Sequence, residues 1–154
     1  MGFVLSLSSE ADPAAEAIIG DGLNAHNDRI VGYADRMPLN VVVRDGENGK
    51  VIGGISGRTS LGLLFIDLVF LPDTLRGQDV GTKMMALVED EARRRGCRSG
   101  VLYTISFQAP GFYQRLGWMV FAEVQCDPPG TSRVFLRKDF AGPAGDARAV
   151  NPMD

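Results

Sequence analysis

One histidine and two cysteines are all the imidazole and thiol ligands in 154 residues. A zinc centre of the usual His and Cys composition is therefore not expected, and Cys97 and Cys126 are too far apart for a CxxC unit. Two cysteines also make no disulfide framework, which fits a reducing, cytoplasmic setting. A Ser-His-Asp triad would have to recruit His26, and in its polar stretch an exposed or locally bonded side chain is the plainer reading. Long apolar runs are missing as well. Residues 61–71, the longest, are interrupted by Gly62 and Asp67 and fall short of the roughly 20 residues that span a bilayer. No basic segment followed by an apolar one opens the chain, so no signal peptide is expected. Positive charge is not in excess: 16 Lys and Arg stand against 19 Asp and Glu, a net charge of −3. General binding to nucleic acid or to an anionic membrane is accordingly not expected, and cationic partners are mildly favoured.

What remains is an ordinary globular composition. Hydrophobic residues make up 45% and charged residues 23% of the chain, enough for one core at this length. The expectation is a single domain over residues 1–140 and a mobile tail, residues 141–154, rich in Ala, Gly and Pro. Residues 10–24 set Ala14, Ala15, Ala17, Ile18 and Ile19 between Pro13 and the pair Gly20 and Gly22, which predicts a helix of modest quality. Residues 25–38 read as polar and irregular, with room for a short second helix. Val41, Val42 and Val43 begin a hairpin that turns through residues 45–49 and returns over 50–58. A further turn at 59–62 leads to LLFIDLVFL, residues 63–71, the candidate central strand. Pro72 ends it. A helix is predicted over 80–95, with Val80, Met84, Leu87, Val88 and Ala92 on one face. Its other side places Glu89, Asp90 and Glu91 four residues ahead of Arg93, Arg94 and Arg95, which reads as a solvated face of ion pairs. Gly96 stops it. A strand at 100–105, a short helix at 111–116 and strands at 118–124 and 132–138 follow. That order predicts an α/β or α+β domain with one mixed sheet.

Between the apolar strand and the long helix lies LRGQDVGT, residues 75–82. A Gly-rich loop that opens a helix suits an anion, because the first helix N–H groups are unpaired and carry roughly half a positive charge. Arg76 adds a permanent cation, and Gly77 and Gly81 permit a sharp turn and close approach. The order Gly81-Thr82-Lys83 is not a nucleotide P-loop, and the stretch is not GxGxxG. Asp79, however, puts a negative charge where an anion would sit. As a capping residue its carboxylate would bond the helix N–H groups or point outward, and replacing it with Gly is expected to cost helix stability. Met84 and Met85 read as packing.

The longer stretch VFLPDTLRGQDVGTKMMALVEDEARRRGC resembles the cofactor-binding core of the Gcn5-related N-acetyltransferases, the GNAT family, whose motif is Arg/Gln-x-x-Gly-x-Gly/Ala. On this chain the match gives Arg76, then Asp79 in the first glycine position and Gly81 in the second. GFYQRLGW, residues 111–118, resembles the family's later Phe-Tyr-x-x-Leu-Gly-aromatic motif. Both stand in the family's order, and the resemblance covers residues 10–140. Ser106 and Pro110 depart from it, where many members have Asn and Ala.

The resemblance implies a mixed, mostly antiparallel central sheet flanked by helices, and an acetyl-CoA-dependent N-acetyltransferase. It implies acetyl-CoA pyrophosphate on Arg76, Gly77, Gln78, Asp79, Val80, Gly81 and Thr82, and the pantetheine arm along Val69, Phe70 and Leu71. A backbone N–H of that strand would stabilise the oxyanion of a direct attack. Tyr113 matches the tyrosine that hydrogen-bonds the departing thiolate, the alternative being a core tyrosine packed beside Phe112. Asp67, a carboxylate inside an apolar strand, is the leading candidate to take the amine's proton. The alternatives are an Asp on the wet face or bonded to a loop, with a water chain or another carboxylate as base. The family's first helices often shape the acceptor pocket, which makes Asn24 and His26 candidate substrate contacts. Phe107 and Gln108, near the active-site end of their strand, are others. A small-molecule primary amine is the expected acceptor, with a peptide or protein amine as the alternative. A non-catalytic acyl-CoA-binding regulatory module and a structural domain whose loop caps a helix stay open. The family often dimerises, so a homodimer is within expectation.

Overall fold

The structure, a computed structural model, describes residues 2–140; the expected tail at 141–154 lies outside the described residues. The chain divides between Ala34 and Asp35 into two compact units. In the first, α1 runs over Pro13–Val31, well past the predicted end. Asp12 starts it, accepting a hydrogen bond from Ala15 N at 2.9 Å, with Pro13 in the first turn where no N–H is needed. Gly20 and Gly22 stay helical; each costs about 1 kcal/mol against Ala without stopping propagation. Residues 25–31, read from sequence as irregular, belong to the same helix. It ends at Gly32, which is left-handed (φ 90°) and bonds back to Asp28 O at 2.8 Å.

The second unit holds a six-stranded sheet in the order β1-β2-β3-β4-β6-β5. Its strands are β1 (Met37–Arg44), β2 (Val51–Ser60), β3 (Leu63–Phe70), β4 (Ser99–Ile105), β5 (Met119–Cys126) and β6 (Thr131–Asp139). Every neighbouring pair is antiparallel except β3 with β4. Those two need a crossover, and α2 (Val80–Arg94) supplies it. A short helix, α3 (Pro110–Arg115), follows β4. The mixed, mostly antiparallel sheet expected from the resemblance is thus present. β1 starts earlier than the valine run suggested, because at the sheet edge the missing N–H of Pro38 costs no ladder bond. Among the described residues no helix is long and apolar enough to cross a membrane.

Met84, Met85, Val88 and Ala92 turn one stripe of α2 onto Leu64, Ile66, Leu102, Val134 and Leu136, and Trp118 closes the cluster. Leu64, Val88 and Leu136 are fully buried, each worth about 2 kcal/mol against exposure. The outer face of α2 corrects one expectation. Arg93 and Arg95 meet Glu89 and Glu91 four residues back, but Arg94 turns to Glu91 and Asp90 is met by Arg93. Glu89 does not lie on a solvated face. Its side chain is 5% exposed, with Lys138 Nζ at 2.6 Å and Trp118 Nε1 at 3.4 Å. Helical spacing put Glu89 beside Arg93; the approach of β6 and Trp118 to that spot is a tertiary matter.

Candidate active site

β3 and β4 pair only from Leu63↔Ser99 to Ile66↔Leu102. Beyond that β3 continues to Phe70 against β2 and β4 continues to Ile105 against β6, so the two strands part. A bulge accompanies the opening. Ser56 faces Leu68 and Gly57 faces Ile66, which leaves Asp67 as the extra residue of β3. The extra residue also reverses which side chains point inward. Leu64 and Ile66 are buried before it, whereas Val69 and Leu71 pack on the core after it.

Two cavities occupy this opening, and the second unit alone builds both. The smaller, about 190 Å³, lies in the wedge itself between residues 66–69 and 102–105 and is closed by Gln108, Tyr113 and Arg133. The larger, about 750 Å³, runs from Val69, Phe70 and Leu71 along Arg76, Gly77 and residues 79–82 to Phe107 and Phe112. They share Val69, Thr104, Gln108 and Tyr113. The strand and loop residues singled out in the sequence therefore come together with Tyr113 and Gln108. Gln78 is the exception: its Nε2 turns away to donate to Thr74 O at 3.1 Å, and it does not line the cavity. Asn24 and His26 fall on α1, in the first unit.

At the start of α2, Asp79 does not act as a side-chain cap. Its backbone is left-handed (φ 60°, ψ 16°) and its side chain makes no capping bond. A carboxylate cap was one expectation, and the left-handed backbone is what prevents it, since a capping side chain needs extended φ/ψ. Gly77, also left-handed at φ 80°, makes the preceding turn. Lys83 N–H is the first to bond back, to Asp79 O at 3.0 Å. The N–H groups of Val80, Gly81 and Thr82 precede it, and all three residues line the larger cavity. Gly81 has a second reason: a Cβ there would meet Phe112 Cζ at 3.1 Å. Arg76 is exposed and paired with Asp73 at 3.1 Å.

Tyr113 sits where the cavities join. Its ring is buried and meets Phe112 edge-on at 5.1 Å, and its carbonyl accepts from Leu116 N and Trp118 N, both at 3.0 Å. Burial pushes the phenol above its ordinary value, so it stays protonated and offers an O–H. Gln108 is held equally firmly. Its Oε1 accepts from Thr104 Oγ1 at 2.8 Å and Ile105 N at 2.9 Å, which leaves the amide N–H groups as its free end. Asp67 lines the small cavity, half-exposed, with its two oxygens 2.7 and 2.8 Å from Arg58 Nη1. Arg58 in turn lies over the Phe65 ring at 4.3 Å. Phe107 lines the larger cavity and is exposed.

Sequence reasoning missed Arg58, Thr104, Arg115 and Arg133. Arg115 follows Tyr113 by two residues in the quoted motif, so the signal was available; it lines the larger cavity. Arg133 reaches the wedge because it pairs with Ile105 across β4 and β6, a register no local pattern reveals. Among the described residues no group of three or more His, Cys, Asp or Glu is placed to hold a metal ion.

Residues 8–118 match the acetyltransferase (GNAT) family profile. Acetyltransferase Atu2258 of Agrobacterium fabrum is 37% identical over 140 residues, covering 91% of this chain and all of that protein. A blasticidin-S acetyltransferase of Streptomyces morookaense is 37% identical over 96 residues, 62% of this chain and 71% of its own. The crystal structure of a Bacillus cereus acetyltransferase superposes with a TM-score of 0.70 at 26% identity, over 88% of this chain and 98% of that one.

Proposed function

Because the chain belongs to the GNAT acetyltransferase family, we propose that it moves the acetyl group of acetyl-CoA directly to a primary amine of a small molecule. One observation carries this reading: a long cavity along a helix start and a small cavity in a strand wedge meet at Tyr113. The long cavity fits the donor. Its volume is in the range of cofactor sites, and the N–H groups of residues 80–82 with Arg76 and Arg115 suit pyrophosphate. The parted stretch of β3 has lost its β4 partners and suits the pantetheine amides, with a backbone N–H of residues 69–71 left for the oxyanion. The small cavity fits a compact acceptor better than a polypeptide, and the similarity to a blasticidin-S acetyltransferase supports that choice.

In the reaction the amine nitrogen attacks the thioester carbonyl, the tetrahedral oxyanion collapses, and the C–S bond breaks. The thiolate receives a hydrogen bond or proton from Tyr113. The ammonium proton leaves to Asp67, directly or through water, since a carboxylate keeps lone pairs beyond those that Arg58 occupies. Neither cysteine lines either cavity. Cys97 lies beyond the far end of α2, and burial raises its pKa away from thiolate.

The test is titration calorimetry with acetyl-CoA, then a screen of amines, amino acids, aminoglycosides and peptides read by CoA release. Acetyl-CoA binding with amine-dependent CoA release is the expected result. Binding without release from any acceptor would leave a non-catalytic acyl-CoA module, and absence of binding would end both readings.

The loop carries its own expectation. Asp79 offers its main chain to the anion and its charge against it, while its left-handed backbone costs about 1 kcal/mol that glycine avoids. Asp79→Gly is therefore expected to bind acetyl-CoA equally or up to about tenfold more tightly, with a melting temperature at or above wild type. The stability cost expected from a lost cap does not apply. Calorimetry and thermal unfolding check this, and a large loss of affinity would show that the carboxylate helps to build the site.

A further inference from the structure

The small cavity has an unbalanced set of polar groups. Its single carboxylate, Asp67, is matched by Arg58. Arg133 lines the same cavity, lies over the Tyr103 ring at 5.6 Å, and has no acidic partner among the described residues. The one acidic residue of β5, Glu123, accepts from Ser132 Oγ at 2.6 Å and forms no ion pair with Arg133. Gln108 presents amide N–H groups, because its oxygen is spent on Thr104 and Ile105. Tyr113 presents an O–H. A wedge with one surplus guanidinium and two further donors repels a polycation and satisfies an acceptor that brings its own negative charge.

Resting on the acetyl-transfer reading above, we propose that the acceptor amine carries an anionic group, carboxylate or phosphate, and that Arg133 holds it. The guanidinium fork suits either anion, and its stacking on Tyr103 fixes its plane before the acceptor arrives. This replaces the mild preference for cationic partners drawn from net charge, because the wedge has the opposite sign to the surface as a whole. Arg133 is thereby a specificity residue: it contacts the acceptor away from the reacting nitrogen.

Matched acceptors test it. L-leucine is compared with isopentylamine, and O-phosphoethanolamine with ethanolamine, by CoA release at saturating acetyl-CoA. The anionic member of at least one pair is expected to have a kcat/KM about tenfold or more above its neutral partner. Which pair shows it separates carboxylate from phosphate. Arg133→Gln is expected to lower that ratio about tenfold, through a higher KM for the anionic member, and Arg133→Lys to restore part of it. Turnover with equal kcat/KM within both pairs, or a ratio untouched by Arg133→Gln, overturns this proposal alone. Silence from every acceptor while acetyl-CoA still binds overturns the acetyl-transfer reading together with it.

Discussion

Tyr113→Phe is expected to lower kcat by about two to three orders of magnitude while KM for acetyl-CoA stays within about twofold. The substitution removes one oxygen and keeps the ring. Phe112 still meets it edge-on, and the bonds from Leu116 N and Trp118 N to the residue 113 carbonyl do not depend on the side chain. Acetyl-CoA binding, which in the proposed reaction draws on the helix start and β3, should change little. What is lost is a donor needed only when negative charge builds on the departing sulfur, and such a loss appears in kcat. The pH profile gives a second readout. Burial raises the phenol above the ordinary value of about 10, so its O–H is present through the neutral range and is lost only at higher pH. An alkaline limb from this group therefore lies above about pH 10 in the wild type and is missing in the variant. Steady-state kinetics by CoA release measure both, and a kcat within about threefold of wild type would remove Tyr113 from the chemistry.

Why Tyr113 was legible from sequence and Arg133 was not is a matter of range. Tyr113 and the loop at 75–82 sit in short stretches whose own residues shape them: a Pro-started turn of helix, a glycine at φ 80°, an amphipathic stripe. The mixed sheet also followed from the element order, since a strand, a helix and a strand in succession suit a crossover, whereas the strand order and the parting of β3 from β4 are read only from the structure. Asp67 lay on the boundary. Its charge in an apolar strand marked it, yet the bulge that frees it and the Arg58 that grips it depend on how β2 registers against β3. Arg133 and Glu89 depend on register or packing between elements far apart in sequence, and each looked like an ordinary surface charge. The bounds of α1 failed for the opposite reason. Gly20 and Gly22 are local stop signals, but a glycine ends a helix only where the chain turns left-handed, and that happens at Gly32.

Glu89→Ala is expected to destabilise the protein by about 3 kcal/mol, the lower part of the range for breaking a buried ion pair, because Lys138 keeps some access to water. The carboxylate ties three elements together. It rises from α2, takes Lys138 of β6 on one oxygen and receives Trp118 Nε1, just after α3, on the other. Lys138 also donates to Leu116 O at 2.6 Å, so the same network pins the turn that follows Tyr113. Without Glu89 the ammonium keeps Leu116 O but has no counter-charge. Lys138→Met should also be costly, since it leaves the carboxylate, 5% exposed, with Trp118 Nε1 and the more distant Arg93 Nη2 at 3.6 Å. Glu89→Met combined with Lys138→Met should cost clearly less than the two single changes added together, because an apolar pair removes both charges at once. Urea unfolding of wild type, Glu89→Met, Lys138→Met and the double variant measures that coupling, with Glu89→Ala measured beside them. Additive costs, or a loss below about 1 kcal/mol for Glu89→Ala, would mean that Glu89 is only a surface acid that happens to be covered. A strong coupling would show that one buried carboxylate fixes α2 and β6 against the turn that follows Tyr113.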